Sequence, residues 1–545
     1  MDPLAVGTRL AIALVAVLAA RLVFSLGPVD DLGSRLRSRL LLGLPIGTLI
    51  STAVIAGFFL FVQGYWGHET VLTLPFTSWS LRYALGMVTA PLAHQDLGHL
   101  VGNLAGFLVF GTVSEYSFSH FPTRRGTSAF GSMRTNPYVR AFLVVPAGVL
   151  GVALLTSLFA WGPIIGSSGV VYAAAGYVLI NYPLLAVAGI LAHEFATTVF
   201  WTLRDPIITA SAGTSYGVPW WANVAVQTHL LGLLLGVCLG LAIRTRGPQL
   251  DRLDPWRLFP ASVLVGSSLT LWAVWWYAGT ASYQLFRGPG VVLVIVVALL
   301  ITVAGTLRES PVTELSARQV SIGLIVFPVV VMGAIAMPVN LSAGAEEFSA
   351  PGQTVTVRGY EIGYGERVTD PRFDPVNLSV IDVPDPPTVT GVFVFNPGRS
   401  LFTEVISKGR LENAGRLSVT VGGIGWRETV TIERTGWRAA GGQRAYAITA
   451  KTPNGNVTPL YESGPAMANT VVAGHRLSIA PENGTFVIRA SAANGTNVTA
   501  LPDRVSVPKP SERVTLGALR IANNESVIWV EYGNTRVPVF EAENR

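Results

Sequence analysis

The sequence predicts a polytopic α-helical membrane protein that continues into a C-terminal all-β, sandwich-like soluble region. Three observations carry this. Long apolar runs recur up to about residue 340 and then stop. Arginines collect in alternate loops between those runs. Beyond residue 341 the pattern turns to short alternating stretches rich in Val, Thr, Gly and Pro.

Composition sets the class. Half of the 545 residues are hydrophobic, 13% are charged, and mean hydropathy is +0.48. A single soluble globule is less apolar than this. The net charge of +6 is almost wholly arginine, with lysine only at 408, 451 and 509. Those arginines sit between membrane runs, where topology accounts for them, so a nucleic-acid partner is excluded. The lone cysteine, Cys238, falls inside an apolar run and reads as packing filler.

Ten runs reach the length of about 20 residues that a bilayer requires. They cover roughly 8–26, 44–64, 99–118, 140–160, 168–186, 185–203, 228–244, 259–279, 289–307 and 320–340. The first reads as a retained span or signal anchor. Orientation follows the arginines. Arg35, Arg37 and Arg39 follow the first span. Arg124, Arg125, Arg134 and Arg140 separate the third and fourth, Arg244, Arg246, Arg252 and Arg257 the seventh and eighth, and Arg308 and Arg318 the ninth and tenth. The alternate loops hold only Arg82, Arg204 and Arg287. Thirteen against three makes the first set cytoplasmic, with both termini extracytoplasmic in a cell membrane.

The tail agrees. Runs such as Thr354–Arg358 and Leu417–Val421 alternate as strands do. Seven N-x-S/T sequons begin at Asn340, Asn377, Asn456, Asn483, Asn494, Asn497 and Asn524. All lie at or beyond the last span, as expected of a glycoprotein with an external domain.

Polar groups inside spans are costly and mark function or interhelical contact. Topology places Ser168, His229, and the pair His99 and Asn103 at the outer ends of three different spans. Ser168 and Tyr172 are four apart and share a helix face, as do His99 and Asn103. Gly232, Gly236 and Gly240 form a small face below His229. Gly169, Ala173 and Gly176 form another below Ser168. Such faces let helix backbones approach closely in lipid, which would bring the His229 imidazole over Ser168. A serine hydroxyl needs a base to become a nucleophile, and His229 can be that base. With no carboxylate placed to orient the ring, the pattern is a Ser/His dyad. Tyr172 can hold the ring by stacking or by a hydrogen bond. Asn103, His99 and the backbone N–H of Ser168 are the oxyanion donors available.

These residues carry a resemblance. Gly166-Ser-Ser168-Gly169-Val-Val-Tyr172-Ala is similar to the G-x-S-G-x-x-Y-A signature of rhomboid intramembrane serine proteases. His94-Gln-Asp-Leu-Gly-His99-Leu-Val-Gly-Asn103 resembles their H-x4-H-x3-N motif, and His229-Leu-Leu-Gly232-Leu-Leu-Leu-Gly236 their H-x2-G-x3-G helix. Glu115 matches a family glutamate near the cytoplasmic end of the His99 helix. The resemblance implies a rhomboid-like six-helix core over about residues 44–245. It implies Ser168 as nucleophile in preference to Ser167, His229 as base, and His99 and Asn103 as oxyanion donors. Tyr172 and His94 are implied as supporting residues beside Gly166 and Gly169.

The expected organisation is an extra span and basic loop at 1–43, the protease core at 44–245, three further spans at 246–340, and a β-rich external part at 341–545. The expected function is an intramembrane serine endopeptidase acting on transmembrane protein substrates, with the lipid bilayer as partner and no cofactor or metal. The rival is a catalytically silent rhomboid-like adaptor or chaperone for membrane helices; the dyad argues against it. His193-Glu194 fails the zinc motif H-E-x-x-H at Thr197, and Gly166–Val170 fails the G-x-S-x-G elbow. Trp220 and Trp221 read as an interfacial belt. Substrate identity and oligomeric state are not legible in the sequence.

Overall fold

A computed structural model describes residues 3–26, 29–122, 127–208, 217–244, 253–279, 282–342, 352–369, 388–493 and 504–543. The chain divides into a helical unit that ends at Gly344 and a β-rich unit from Ala345, with short inserts of the second at 214–218 and 277–282. Arg124, Arg125, Arg246 and Arg252, and the sequons at Asn377, Asn494 and Asn497, lie outside the described residues.

The helical unit runs α1 (Pro3–Leu26), α2 (Val29–Arg39), α3 (Ile46–Gly57), α4 (Ala84–Thr89), α5 (Leu97–Phe118), α6 (Pro137–Val139), α7 (Val145–Leu158), α8 (Ser168–Asn181), α9 (Pro183–Arg204), α10 (Val226–Arg244), α11 (Pro255–Ser268), α12 (Arg287–Thr306) and α13 (Ala317–Ser342). A π turn at Arg140–Val144 joins α6 to α7.

Among the described residues six helices are long and apolar enough to cross a membrane: Leu97–Phe118, Pro137–Leu158, Pro183–Arg204, Val226–Ile243, Arg287–Thr306 and Ala317–Pro338. Ala5–Ala19, Ile46–Val62 and Ser168–Asn181 are shorter apolar helices. Two of the ten expected runs are shorter as helices than the sequence suggests. The run 168–186 stops at Asn181, whose Nδ2 turns back onto the Tyr177 carbonyl at 2.8 Å. The run 259–279 is helical only to Ser268. Thr270 takes a left-handed φ of 59°, and the aromatic stretch beyond it forms a strand over Trp275–Gly279 that pairs with Ser282–Leu285. Trp, Tyr and Val favour strands, and hydropathy alone does not separate such a run from a helix.

The short helix α8 is the hub: eleven of its fourteen residues are buried. Its partner α10 reaches it backbone to backbone. A Cβ on Gly236 would fall 1.9 Å from the Ala173 carbonyl oxygen, and one on Gly232 2.3 Å from that of Gly169. In return, a Cβ on Gly176 would fall 2.3 Å from the Leu233 carbonyl oxygen. Val170, Tyr172, Val178, Leu233, Leu234 and Val237 complete the seam with residues of α11 to α13 such as Val265, Val297 and Ile325.

The opposite end of the bundle is fastened by Glu115, buried at the foot of α5. Its Oε1 accepts from Gly47 N–H at 2.8 Å and from His120 Nε2 at 2.7 Å. Its Oε2 accepts from Thr48 N–H and Thr48 Oγ, both at 2.7 Å. The His120 tautomer is fixed because its Nδ1 accepts from Leu41 N–H at 2.8 Å. Glu115 thus satisfies the orphan N–H groups at the start of α3, where a carboxylate also complements the helix dipole.

The β-rich unit is antiparallel throughout. Strands 354–357, 360–369, 388–396 and 401–407 form one four-stranded sheet. A short helix, α14 (Lys408–Ala414), leads into an eight-stranded sheet, and strands 466–472, 475–482, 485–492 and 505–506 form another four-stranded one. Inward residues of these last two, including Leu477, Ile479, Ile521, Ile528 and Phe540, share one core. Of the sequons, Asn456, Asn483 and Asn524 are exposed. Asn340 is buried with its Nδ2 donated to a carbonyl, which closes it to a glycan in the folded chain.

Two substitutions test this packing. Gly236→Ala should lower stability in detergent by about 1–3 kcal/mol through overpacking, while Gly102→Ala, with open space around it, should be neutral; thermal unfolding of both reads the difference. Glu115→Ala strands four buried donors and should cost on the order of 3 kcal/mol in the same assay.

Candidate active site

Ser168 is the first residue of α8, and the turn before it is built for close approach. Gly166 has φ 120°, and a Cβ there would collide with the His99 ring, 2.5 Å from Cε1 and 2.6 Å from Nε2. The same point lies 3.4 Å from Asn103 Nδ2. Glycine is required on both counts. Gly166 N–H is bonded to the Ala90 carbonyl at 2.9 Å, which fixes the turn against the end of α4.

The two neighbouring serines have different partners. Ser167 is buried, and its N–H donates to His94 Nε2 at 3.4 Å, with its hydroxyl 3.2 Å from the same atom. Burial, and then the neighbouring His99, push the His94 imidazole down to about 3. It is therefore neutral and free to accept. His94 is held in turn by Gln63: its N–H donates to Gln63 Oε1 and its carbonyl accepts from Gln63 Nε2, both at 2.8 Å. Ser168 Oγ points instead to His229 Nε2, at 3.0 Å.

The His229 ring lies on the Tyr172 ring, with centroids 4.1 Å apart and planes inclined by 23°. Both options open for Tyr172 are used, but on different partners: the ring stacks on His229, and the hydroxyl donates to the Leu269 carbonyl at the end of α11. His229 Nδ1 is buried with no hydrogen-bond partner, so among the described residues no carboxylate orients the ring. Its position comes from α10 packing and from Tyr172.

His99 and Asn103 stand on one face of α5. Asp96 caps that helix, accepting from His99 N–H at 2.8 Å. The Asn103 Nδ2 is buried and unpartnered, and it faces Gly166 beside His99. A buried, unsatisfied amide donor carries a desolvation cost, which an incoming anionic oxygen would relieve. Gly169 has no room for a side chain between Thr156 of α7 and Gly232 of α10. Ser168, His229, Tyr172, His94, His99, Asn103, Gly166 and Gly169 thus lie together, Gly232 and Gly236 line the seam between α8 and α10, and Glu115 belongs to the far end.

Sequence reasoning missed the residues that hold the loops. Gln63 and Asp96 are two. Gln227 is a third: its Nε2 donates to the Phe159 carbonyl at 2.8 Å and its Oε1 accepts from Trp161 N–H at 3.0 Å. The available signals were carboxamides at the ends of apolar runs for Gln63 and Gln227, and an N-cap aspartate before an apolar run for Asp96. Residues 209–216 of the loop between α9 and α10 lie outside the described residues.

No curated protein and no solved structure matches the chain. The family model described as Rhomboid domain matches residues 82–246, so the stretch that contains α4 to α10 and every residue of the Ser168–His229 cluster is a Rhomboid domain.

Proposed function

We propose that the protein is an intramembrane serine endopeptidase that cleaves transmembrane protein substrates. The observation that carries this is the 3.0 Å approach of His229 Nε2 to Ser168 Oγ, at a site where His94 occupies the neighbouring serine. Rhomboid families include inactive members, so the family alone does not carry the activity.

Ser168 Oγ attacks the scissile carbonyl carbon as its proton passes to His229 Nε2. The carbonyl oxygen becomes an oxyanion, met by Asn103 Nδ2, His99 and the backbone N–H of Ser168 at the positive end of α8. When the intermediate collapses, the C–N bond breaks and His229 returns its proton to the leaving amine. Water then repeats the sequence on the acyl-enzyme, with His229 again as base. Tyr172 keeps the imidazole over Ser168 through both halves.

The proposed site lies beneath the outer face of a cell membrane, with both termini outside. One contact supports that arrangement. Arg9 of α1 donates to the carbonyls of Leu203 and Arg204, each at 2.7 Å, so the start of α1 and the end of α9 share one end of the bundle. The loop after α9, together with α9 itself, is the proposed substrate entrance, since α9 buries little of its surface. The exposed sequons support glycosylation of the β-rich unit.

Labelling of membranes with a fluorophosphonate serine probe tests the reading. Wild type and Ser167→Ala should label, and Ser168→Ala should not. Labelling that survives Ser168→Ala refutes the nucleophile, and absence of label in wild type with a small, membrane-permeant probe favours the silent adaptor. Asn103→Ala should lower kcat on a reporter transmembrane substrate by about 10²–10³-fold, as loss of one oxyanion donor does, with little change in KM.

A further inference from the structure

The segment that leads into Ser168 is held from outside the matched domain. Asn340, near the end of α13, is 6% exposed. Its Nδ2 donates to the Ala160 carbonyl at 2.6 Å and its Oδ1 accepts from Gly162 N–H at 3.3 Å. Gln227 makes the same pair of bonds to Phe159 and Trp161. The two carboxamides therefore both grip the bend at residues 159–162, each taking a carbonyl and the N–H two residues on. The main-chain carbonyl of Asn340 also accepts from Leu81 N–H at 3.1 Å and Ser80 Oγ at 2.9 Å.

We infer that Asn340 is a positioning residue for the Ser168 nucleophile, and that the spans beyond residue 246 are part of the catalytic unit. The inference rests on the protease reading. The logic is geometric. Gln227 and Asn340 fix four consecutive residues, Phe159 to Gly162. Ser78 then takes over, accepting from Ile164 N–H at 3.0 Å and donating its own N–H to the Ile164 carbonyl at 3.1 Å. Gly166 and Ser167 are fixed as described. The approach to Ser168 has no free stretch longer than a residue, and Asn340 supplies two of the four bonds that hold its start. A second contact runs the same way: the Leu269 carbonyl, also beyond the matched domain, receives the hydroxyl of Tyr172, on which His229 rests. Nucleophile and base are thus each steadied by one group from the C-terminal spans.

Removing the carboxamide while leaving the main chain should loosen residues 160–162 without touching the dyad or a substrate contact. Asn340→Ala is therefore expected to lower the rate constant of fluorophosphonate labelling, and kcat on a reporter substrate, by about ten- to a hundredfold, with KM nearly unchanged. Ser80→Ala removes an anchor of the same helix end and leaves the carboxamide in place; it should label at the wild-type rate. Should Asn340→Ala not fold, Asn340→Asp carries the same test, since it keeps an acceptor for Gly162 and loses the donor to Ala160. A merely structural role predicts instead that all these variants lose thermal stability and label at the wild-type rate once folded. Wild-type rate constants in both Asn340 variants would overturn the inference while leaving the protease reading intact. Absence of Ser168-dependent labelling in wild type would overturn both.

Discussion

The arrangement of the site depends on a contact made where side chains are missing. Gly232 and Gly236 of α10 sit against the carbonyls of Gly169 and Ala173 on α8, and Gly176 against that of Leu233. Between membrane helices the hydrophobic effect offers little net attraction, so close backbone packing has to supply it. The contact has no slack, because any Cβ would overlap a backbone atom. It therefore sets the height and rotation of α10 relative to α8 within narrow limits, and with them the reach of His229 to Ser168. A looser seam would leave the same two residues on the same helices without a shared hydrogen bond.

Around this seam, the polar groups divide into two populations. One is fully satisfied and holds backbone: Glu115 with His120 at one end, and Gln63, Asp96, Gln227 and Asn340 at the other. The other is buried and short of partners: Asn103 Nδ2, His99 Nδ1 and His229 Nδ1. Buried polar atoms are normally paired, so the second population is unusual; among the described residues of the helical unit the other unpartnered atoms are the Nδ1 of His94 and of His193 and the Oγ1 of Thr52 on α3. The satisfied set forms a rigid frame within which the unsatisfied set keeps its orientation.

Much of this was legible in the sequence, for a physical reason. Helical spacing converts i, i+3 and i+4 into a face, so Ser168 with Tyr172, His99 with Asn103, and His229 with its glycines could be read as three oriented surfaces before any coordinates. Their convergence then followed from small-residue packing. What was not legible were contacts to main-chain atoms, which have no residue type to pair with. Asn340 read as a sequon, Gln227 drew no notice beside His229, and no pattern could show Leu269 offering its carbonyl to Tyr172. The run 259–279 failed differently. Its hydropathy suits a span, yet Thr270 reverses the backbone and the tryptophans beyond it pair as a strand. The β-rich tail was readable as strands from alternation, but its division into three sheets depends on long-range pairing that alternation does not encode.

The burial of Asn340 has a consequence for biosynthesis. Asn340-Leu341-Ser342 is a sequon, and the nitrogen that would receive a sugar is the one that donates to Ala160. Folding and modification therefore compete for a single atom. If the end of α13 docks first, the nitrogen is hidden. If a glycan arrives first, its bulk keeps the helix end from entering the slot between residues 81 and 162. Any sugar transfer to this atom would therefore have to come before the end of α13 docks, and would bar that docking.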